Sequence, residues 1–474
     1  MTAFSAIPDD RNYPPQVELQ GPAMNGPTAV WLNAFLFGQI ACSVIQLTPG
    51  TGSIRLPLRV AAFSVSLLFL FIIRGASLKH PSRNAAVCVF VIMVLEFFHP
   101  DTNSFMSAFA QFMLYLAILG PIFWVPRLTI SPHAFRTFLM ILWFYQSLSS
   151  LFGYLQVKYP GRFQPQMSSF LEQHAAYLEQ LHITLANGER IFRPMGLTDT
   201  PGGAAGSGMY ATLFGIVILV AERNKILKFL ALVSICLGLF CLYLSQIRSI
   251  LVMTGVITFV FFMLLGRRAD FGKMLGSMAI VAVLSVVSFF WAVGFGGATV
   301  TTRVGSLIEA DPVSVYNGNR GGFFRDFINN LLPNGPLGWG AGRWGMMYNY
   351  FADQSRPSEW SEIMWQGWTF DGGLPMVIAY VSAIVMATLL AWRIAKDKTV
   401  GNLGIWAALV CAYDIGGIAM CFNCNYFISQ DGLQYWAMNG GLWAAYVYAL
   451  QNRSQENYGI QSSDLLASEL EVGP

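Results

Sequence analysis

Apolar residues along this chain fall in blocks of roughly 18–23, separated by short polar turns, which is the length that crosses about 30 Å of hydrocarbon at about 1.5 Å per residue. Spanning strands would need only about ten alternating residues each, and no such alternation dominates. The pattern predicts an all-α, polytopic integral membrane protein of about twelve transmembrane helices. The expected spans are 28–47, 56–73, 84–98, 104–125, 134–156, 204–221, 226–244, 249–266, 274–294, 371–392, 402–422 and 433–450. The third is short and draws on Phe97 and Phe98. No internal repeat of fixed period is visible.

Composition agrees with the pattern. Hydrophobic residues make up 55% of the 474 and charged residues 11%, against about 25% charged in soluble domains. The mean hydropathy is +0.51. A net charge of +3 without a basic tract gives no reason to expect a nucleic-acid partner. Residues 1–27 lack the basic n-region and apolar h-region of a cleavable signal and read as a solvated N-terminal tail. Residues 28–450 form the transmembrane domain, and 451–474 read as a second polar tail.

Lysine and arginine in the short loops set the orientation. With the N-terminus inside, the cytoplasmic turns are RGASLKHPSR, PRLTISPHAFR, ERNKILK, GRRADFGK and WRIAKDK, all basic. The short external turns HPDTN and FNCNYFISQDG carry no lysine or arginine, while TPGTGSIR carries one. Both termini are then cytoplasmic, and two long loops, 157–203 and 295–370, face the periplasm.

Those loops hold Arg162, Arg190, Arg193, Arg303, Arg320, Arg325, Arg343 and Arg356 against only Lys158. Arginine offers planar, bidentate hydrogen bonding to phosphate. The second loop also carries Trp339, Trp344, Trp360, Trp365 and Trp368. Aromatic faces suit sugar rings, so Trp339, Trp344 and Trp360 are candidates to guide a glycan. Trp365 and Trp368 fit an interfacial belt better. Five of the seven cysteines lie in apolar segments as packing residues, while Cys421 and Cys424 form a C-x-x-C at a helix end.

Charges inside spans mark function by default. Here they are Arg248, Asp414, Asp371 and Glu96, all in the outer half of the membrane or at its outer edge under this topology. Their clustering implies one outward-facing polar cavity.

The pattern resembles the O-antigen polymerase and O-antigen ligase superfamily of bacterial glycan assembly. Three landmarks carry the resemblance, over roughly 190–390. Arg193 precedes a helix start rich in small residues in FRPMGLTDTPGGAAGSGMY. LSQIRSILV around Arg248 loosely matches a Ser-Arg pair opening a helix. A long external loop begins at Arg320 in NRGGFFRDFINNLLPNGPLGWGAGRWGMM and closes on the acidic, glycine-rich WTFDGGLPMVIAYV.

Membership would imply a membrane fold resembling the GT-C-type glycosyltransferases and an undecaprenyl-pyrophosphate-linked glycan as donor. Partners would be the lipid bilayer, a flippase and a chain-length regulator, in the bacterial inner membrane. Breaking a sugar–pyrophosphate bond builds negative charge on the departing oxygen, which preorganised arginines stabilise. Arg193, Arg248 and Arg320 are therefore assigned to the pyrophosphate, with Arg325 and Arg343 as second choices. The alternative for each is a salt bridge to Asp371, Asp414, Glu309 or Glu359. No cofactor is expected, and no external cluster has metal-ligand spacing.

Ligases of the superfamily carry a histidine ahead of the acidic-Gly helix start. Here no histidine lies beyond His182, and the comparable position falls near Glu362, with Glu359 close by. Glu362 is thus the candidate general base, and a repeat-unit polymerase is expected rather than a ligase. His174 and His182, on a segment read as an amphipathic surface helix, are the lesser candidates. Rival readings are an O-antigen ligase or protein O-oligosaccharyltransferase and, from another class, a polysaccharide transporter or flippase.

Overall fold

The computed structural model describes residues 28–470 apart from 49, 52–53, 76–77, 166–180, 269 and 310. The whole expected N-terminal tail 1–27, the last four residues of the C-terminal one and His174 lie outside them. The chain is predominantly helical: α1 Val30–Gln46, α2 Arg55–Ile72, α3 Arg83–Leu95, α4 Phe105–Leu119, α5 Pro132–Lys158, α6 Gly203–Ala221 and α7 Lys225–Ser245. There follow α8 Arg248–Arg267, α9 Phe271–Gly296, α10 Ala298–Glu309, α11 Gly345–Phe351, α12 Met364–Lys396, α13 Leu403–Met420 and α14 Gln430–Leu470.

A helix coincides with each of the twelve apolar blocks. Among the described residues, eight helices are long and apolar enough to cross a membrane, or nine if the bent pair Phe105–Leu119 and Pro121–Arg127 is one span. The bend of 44° falls at Gly120, where Pro121 begins the second piece. α1 is shorter, and α14 dilutes its apolar stretch with Gln434 and Asn439 while burying Leu433, Tyr435, Trp436 and Leu442 completely. α14 also runs past the expected span end at 450 to Leu470.

Burial separates the helices into two kinds. α6 and α13 are apolar all round and 83% buried over their most hydrophobic window, so they form the centre of the bundle. α9 is only 11% buried, and Val283 and Phe290 stand exposed on it. A water-facing helix would not show such a surface, whereas hydrocarbon accepts it. These features make the chain a multi-pass membrane protein.

Small residues bring the central helices close. A Cβ on Gly208 of α6 would lie 2.5 Å from the carbonyl oxygen of Gly238 on α7, the close approach that small-residue packing permits in membranes. At the opposite, basic ends of the helices, arginines cap carbonyls. Arg268 donates to Ala395 and Gly401, and Arg127 to Ile73.

Among the described residues, both long loops contain regular structure. The first contains an antiparallel hairpin, β1 His182–Thr184 with β2 Arg190–Phe192. His182 and the two residues after it were expected to end an amphipathic helix and are instead a strand; the segment's earlier part lies outside the described residues. The hairpin docks where α9 passes into the second loop, since Ala186 N donates to Phe295 O at 2.7 Å and Thr299 Oγ1 to Thr184 O at 3.2 Å.

The second loop runs through α10 and a chain of helical turns from Pro312 to Asn334, with π turns at Asn317–Gly321 and Phe327–Leu331. It then threads between α12 and the turn joining α3 to α4. Asp353 N donates to Asn103 Oδ1 at 2.6 Å and Arg356 Nη1 to Thr102 O at 3.1 Å. α12 itself is broken at Gly372 and Gly373, directly after Asp371. Leu374 N donates to Pro336 O and Trp339 N to Phe370 O, so the loop satisfies the backbone groups that the break releases.

Candidate functional site

A cavity of about 1080 Å³ opens where the second half of α5 and the ends of α1, α2, α6 and α14 meet, the end expected to face outside. Gln39, Ser43 and Gln46 line it from α1, four and three residues apart and so on one helical face. Arg59 enters from α2, Tyr145 and Ser149 from α5, and Tyr210 from α6. Residues of 344–350, 358–361 and 429–434, among them Trp344, Glu359 and Asp431, complete the wall.

The segment 193–203 is held tightly over α5. Gln156 Oε1 accepts from Met195 N at 2.8 Å and Gly196 N at 3.0 Å, while its Nε2 donates to Gly196 O at 2.9 Å. Ser149 Oγ accepts from Leu197 N at 2.9 Å. This anchoring delivers buried Asp199 to Arg59, and the two form an ion pair on the cavity wall. Sequence reasoning passed over both. Arg59 was absorbed into an apolar block, and its partner lies 140 residues away.

With side-chain exposures of 20% and 10%, removing one partner leaves the other poorly solvated. Arg59→Ala is expected to cost about 2–4 kcal/mol, and the double variant with Asp199→Ala less than the sum of the singles. Thermal unfolding of the four proteins checks this; additive losses would show that the two charges are not coupled.

Arg193 lies on the same segment. A Cβ at Gly202, whose φ is +90°, would stand 3.8 Å from Arg193 Cδ and 2.6 Å from Ile247 Cδ1. The α7–α8 turn, and with it Arg248, is thereby a neighbour of Arg193. Arg248 Nη1 donates to Ser306 Oγ at 3.2 Å. Arg303, one turn before Ser306, is drawn below the ordinary arginine range by burial and then by the charge of Arg248.

In the second loop, Arg320 sits in a π turn and pairs with Glu362. Glu362 Oε1 also accepts from Trp360 Nε1 at 2.9 Å, and its amide donates to Gln366 Oε1. Arg343 donates to Glu359 Oε1 at 3.0 Å and to Trp339 O at 3.1 Å. Arg325 donates within its own helical turn, to Gly321 O. Trp339 donates to Leu331 O, and Trp360 is exposed.

Trp344 is buried at the cavity wall, with Nε1 donating to Asp371 Oδ1 at 2.9 Å. Asp371 is wholly buried, and its other oxygen accepts from Gln111 Nε2 and Tyr115 OH, both at 2.8 Å. Glu96 lies near it, against the Gly338 turn. Asp414 faces away into the contact of α13 with α14, accepting from Asn439 Nδ2 at 2.9 Å.

The expected residues thus fall into three groups. Trp344, Glu359 and Trp360 line the cavity; Arg193, Arg248, Arg320, Arg325, Glu362, Arg343 and Trp339 do not line it; Asp371 and Asp414 are interior hydrogen-bond centres. Trp368, expected at an interfacial belt, is instead fully buried and stacks on Tyr380 at 4.8 Å, because the broken α12 turns its first half into the bundle. Cys421 and Cys424 are unbridged thiols. Among the described residues, no three His, Cys, Asp or Glu side chains are grouped as metal ligands. No protein-family model matches the chain, and no curated protein matches it.

Proposed function

We propose that this protein joins undecaprenyl-pyrophosphate-linked oligosaccharide repeats into an exopolysaccharide or O-antigen at the periplasmic face of the bacterial inner membrane. Twelve spans with both termini in the cytoplasm form part of the same reading, as do a flippase and a chain-length regulator as partners. The observation that carries it is the cavity itself. It lies at the end that the basic turns assign to the outside, both long loops build its wall, Arg59 lines it, and Arg343 pairs with Glu359 on that wall.

In this reading the growing chain, on its lipid pyrophosphate, is transferred to a sugar hydroxyl of an incoming lipid-linked unit. Arg193 and Arg320, with Arg248, Arg343 and Arg325 behind them, receive the departing pyrophosphate. The pairs Arg320–Glu362 and Arg343–Glu359 keep these cations aligned while the site is empty, and a doubly charged pyrophosphate competes with the carboxylates for them. Trp344 and Trp360 offer ring faces to the glycan.

Arg193→Ala and Arg320→Ala are each expected to abolish long polymer in cells while protein levels hold. The product's chain-length distribution is the measurement, and an unchanged distribution in both variants removes the mechanism.

A transporter is the second reading, favoured by the broken helix α12, since transporters use interrupted helices at their substrate sites. Against it, the groups freed at the break are bonded to the protein's own loop. Flipping of a labelled lipid-linked sugar by purified protein in vesicles, with no polymer formed, would decide for the transporter.

A further inference from the structure

Among the described residues three carboxylates line the cavity: Asp199, Glu359 and Asp431. Asp199 is held by Arg59 and Glu359 by Arg343. Each of these carboxylates is already engaged as an acceptor by a guanidinium. Asp431 has no such partner. Among the described residues its carboxylate makes no hydrogen bond or ion pair, and burial raises its carboxyl.

Its backbone, in contrast, is fixed. Asp431 N donates to Ser429 Oγ at 3.1 Å, and Ser429 Oγ donates to Tyr426 O at 2.6 Å. A Cβ on the next residue, Gly432, would lie 2.7 Å from Phe427 O, so the first turn of α14 is pressed against the preceding turn. A free carboxylate on a rigid backbone at the wall of a large cavity is the arrangement a proton acceptor needs.

We infer that Asp431 is the general base that takes the proton of the acceptor hydroxyl, an inference that rests on the transfer reaction proposed above. The hydroxyl oxygen attacks the anomeric carbon of the donor sugar as its proton passes to the Asp431 carboxylate. The bond between that carbon and the pyrophosphate oxygen breaks, and its electron pair leaves with the lipid pyrophosphate. Asp431 then releases the proton to water. Glu362 keeps the separate task of aligning Arg320.

Burial raises the Asp431 carboxyl to about 6, and the residue lies ahead of the span expected from 433. The titratable groups around it are Tyr210 from α6, Tyr413 from α13, and Tyr426 and Cys424 from the turn before α14. Arg320 acts on Cys424 in turn. The remaining charges on the wall, Arg59, Asp199 and Glu359, are already paired. The active form is the anion, so the rate should climb as pH rises through about 6 and then level.

The test uses full-length protein in lipid nanodiscs, supplied with the lipid-linked oligosaccharide extracted from cells lacking it. Wild type is expected to extend chains with that pH profile. Asp431→Asn should lose about 100-fold or more of the initial rate while retaining the lipid-linked donor, and Asp431→Glu should keep part of the rate with the rising limb displaced. Asp431→Asn polymerising at the wild-type rate overturns the inference and leaves the polymerase reading standing. If Asp431→Asn fails to fold, an unmoved limb in Asp431→Glu overturns it equally. No polymer from wild type brings down the polymerase reading, and this inference with it.

Discussion

Asp371→Ala should lose the native fold more readily than any other single substitution of a charged residue in the bundle. The carboxylate accepts from Gln111, Tyr115 and Trp344, which belong to α4 and the second loop, and it is wholly inaccessible to water. Alanine leaves three buried donors without a partner and opens a void among them. Each orphaned group costs about 1–3 kcal/mol, and with partial relaxation a total of about 3–5 kcal/mol is expected. Hydrogen bonds between membrane helices average nearer about 0.6 kcal/mol because the unfolded chain finds substitutes there. A large loss would therefore mark Asp371 as the tie between loop and bundle. Asp371→Asn should lose less, since the amide oxygen still accepts. Thermal unfolding in detergent reads both, and an Asp371→Ala protein melting with wild type would show that the three bonds hold nothing together.

Gly340→Ala is the second large effect. At φ +86° the backbone is left-handed, and a Cβ would meet the peptide of Asp101, with the carbonyl carbon at 2.6 Å and Thr102 N closer still. The neighbour is backbone, which cannot swing aside as a side chain can. The conformational penalty of about 1–2 kcal/mol adds to about 1–3 kcal/mol for overpacking. The expected outcome is a protein in which 336–344 lifts from the α3–α4 turn. Protease accessibility of that stretch should rise together with a fall in melting temperature, whereas unchanged protection would mean the turn yields freely.

The apolar helices were legible because their signal is long and local. Blocks near twenty residues admit few alternatives, and a helix coincides with each of them. The small-residue start of α6 was visible as a motif, and its structural purpose, the contact of Gly208 with Gly238, follows from the absence of side chains. Arg193 and Arg248 were singled out separately, and the chain brings their segments together.

Other features lay beyond a linear reading for identifiable reasons. Arg59 hides in a hydropathy window because one charge barely lowers an average over eighteen residues, and nothing local names Asp199 as its partner. The polar face of Gln39, Ser43 and Gln46 was readable from its spacing, yet length alone had already classified that helix. Asn187-Gly188 between HITL and RIFR is a strong hairpin signal, but the apolar spacing before it suggested a helix instead. Asp431 looked like an ordinary turn residue. Only the packing around it shows that its neighbours on the cavity wall are neutralised and it is not.

The interruption of α12 carries an implication for engineering. Its spare peptide groups are bonded by 336–339, and Gly340, next to that stretch, is seated against Asp101 and Thr102. Chimaeras that graft the 295–370 segment from another protein would import a strap without its buckle, unless the α3–α4 connection and the Asp-Gly-Gly junction travelled with it.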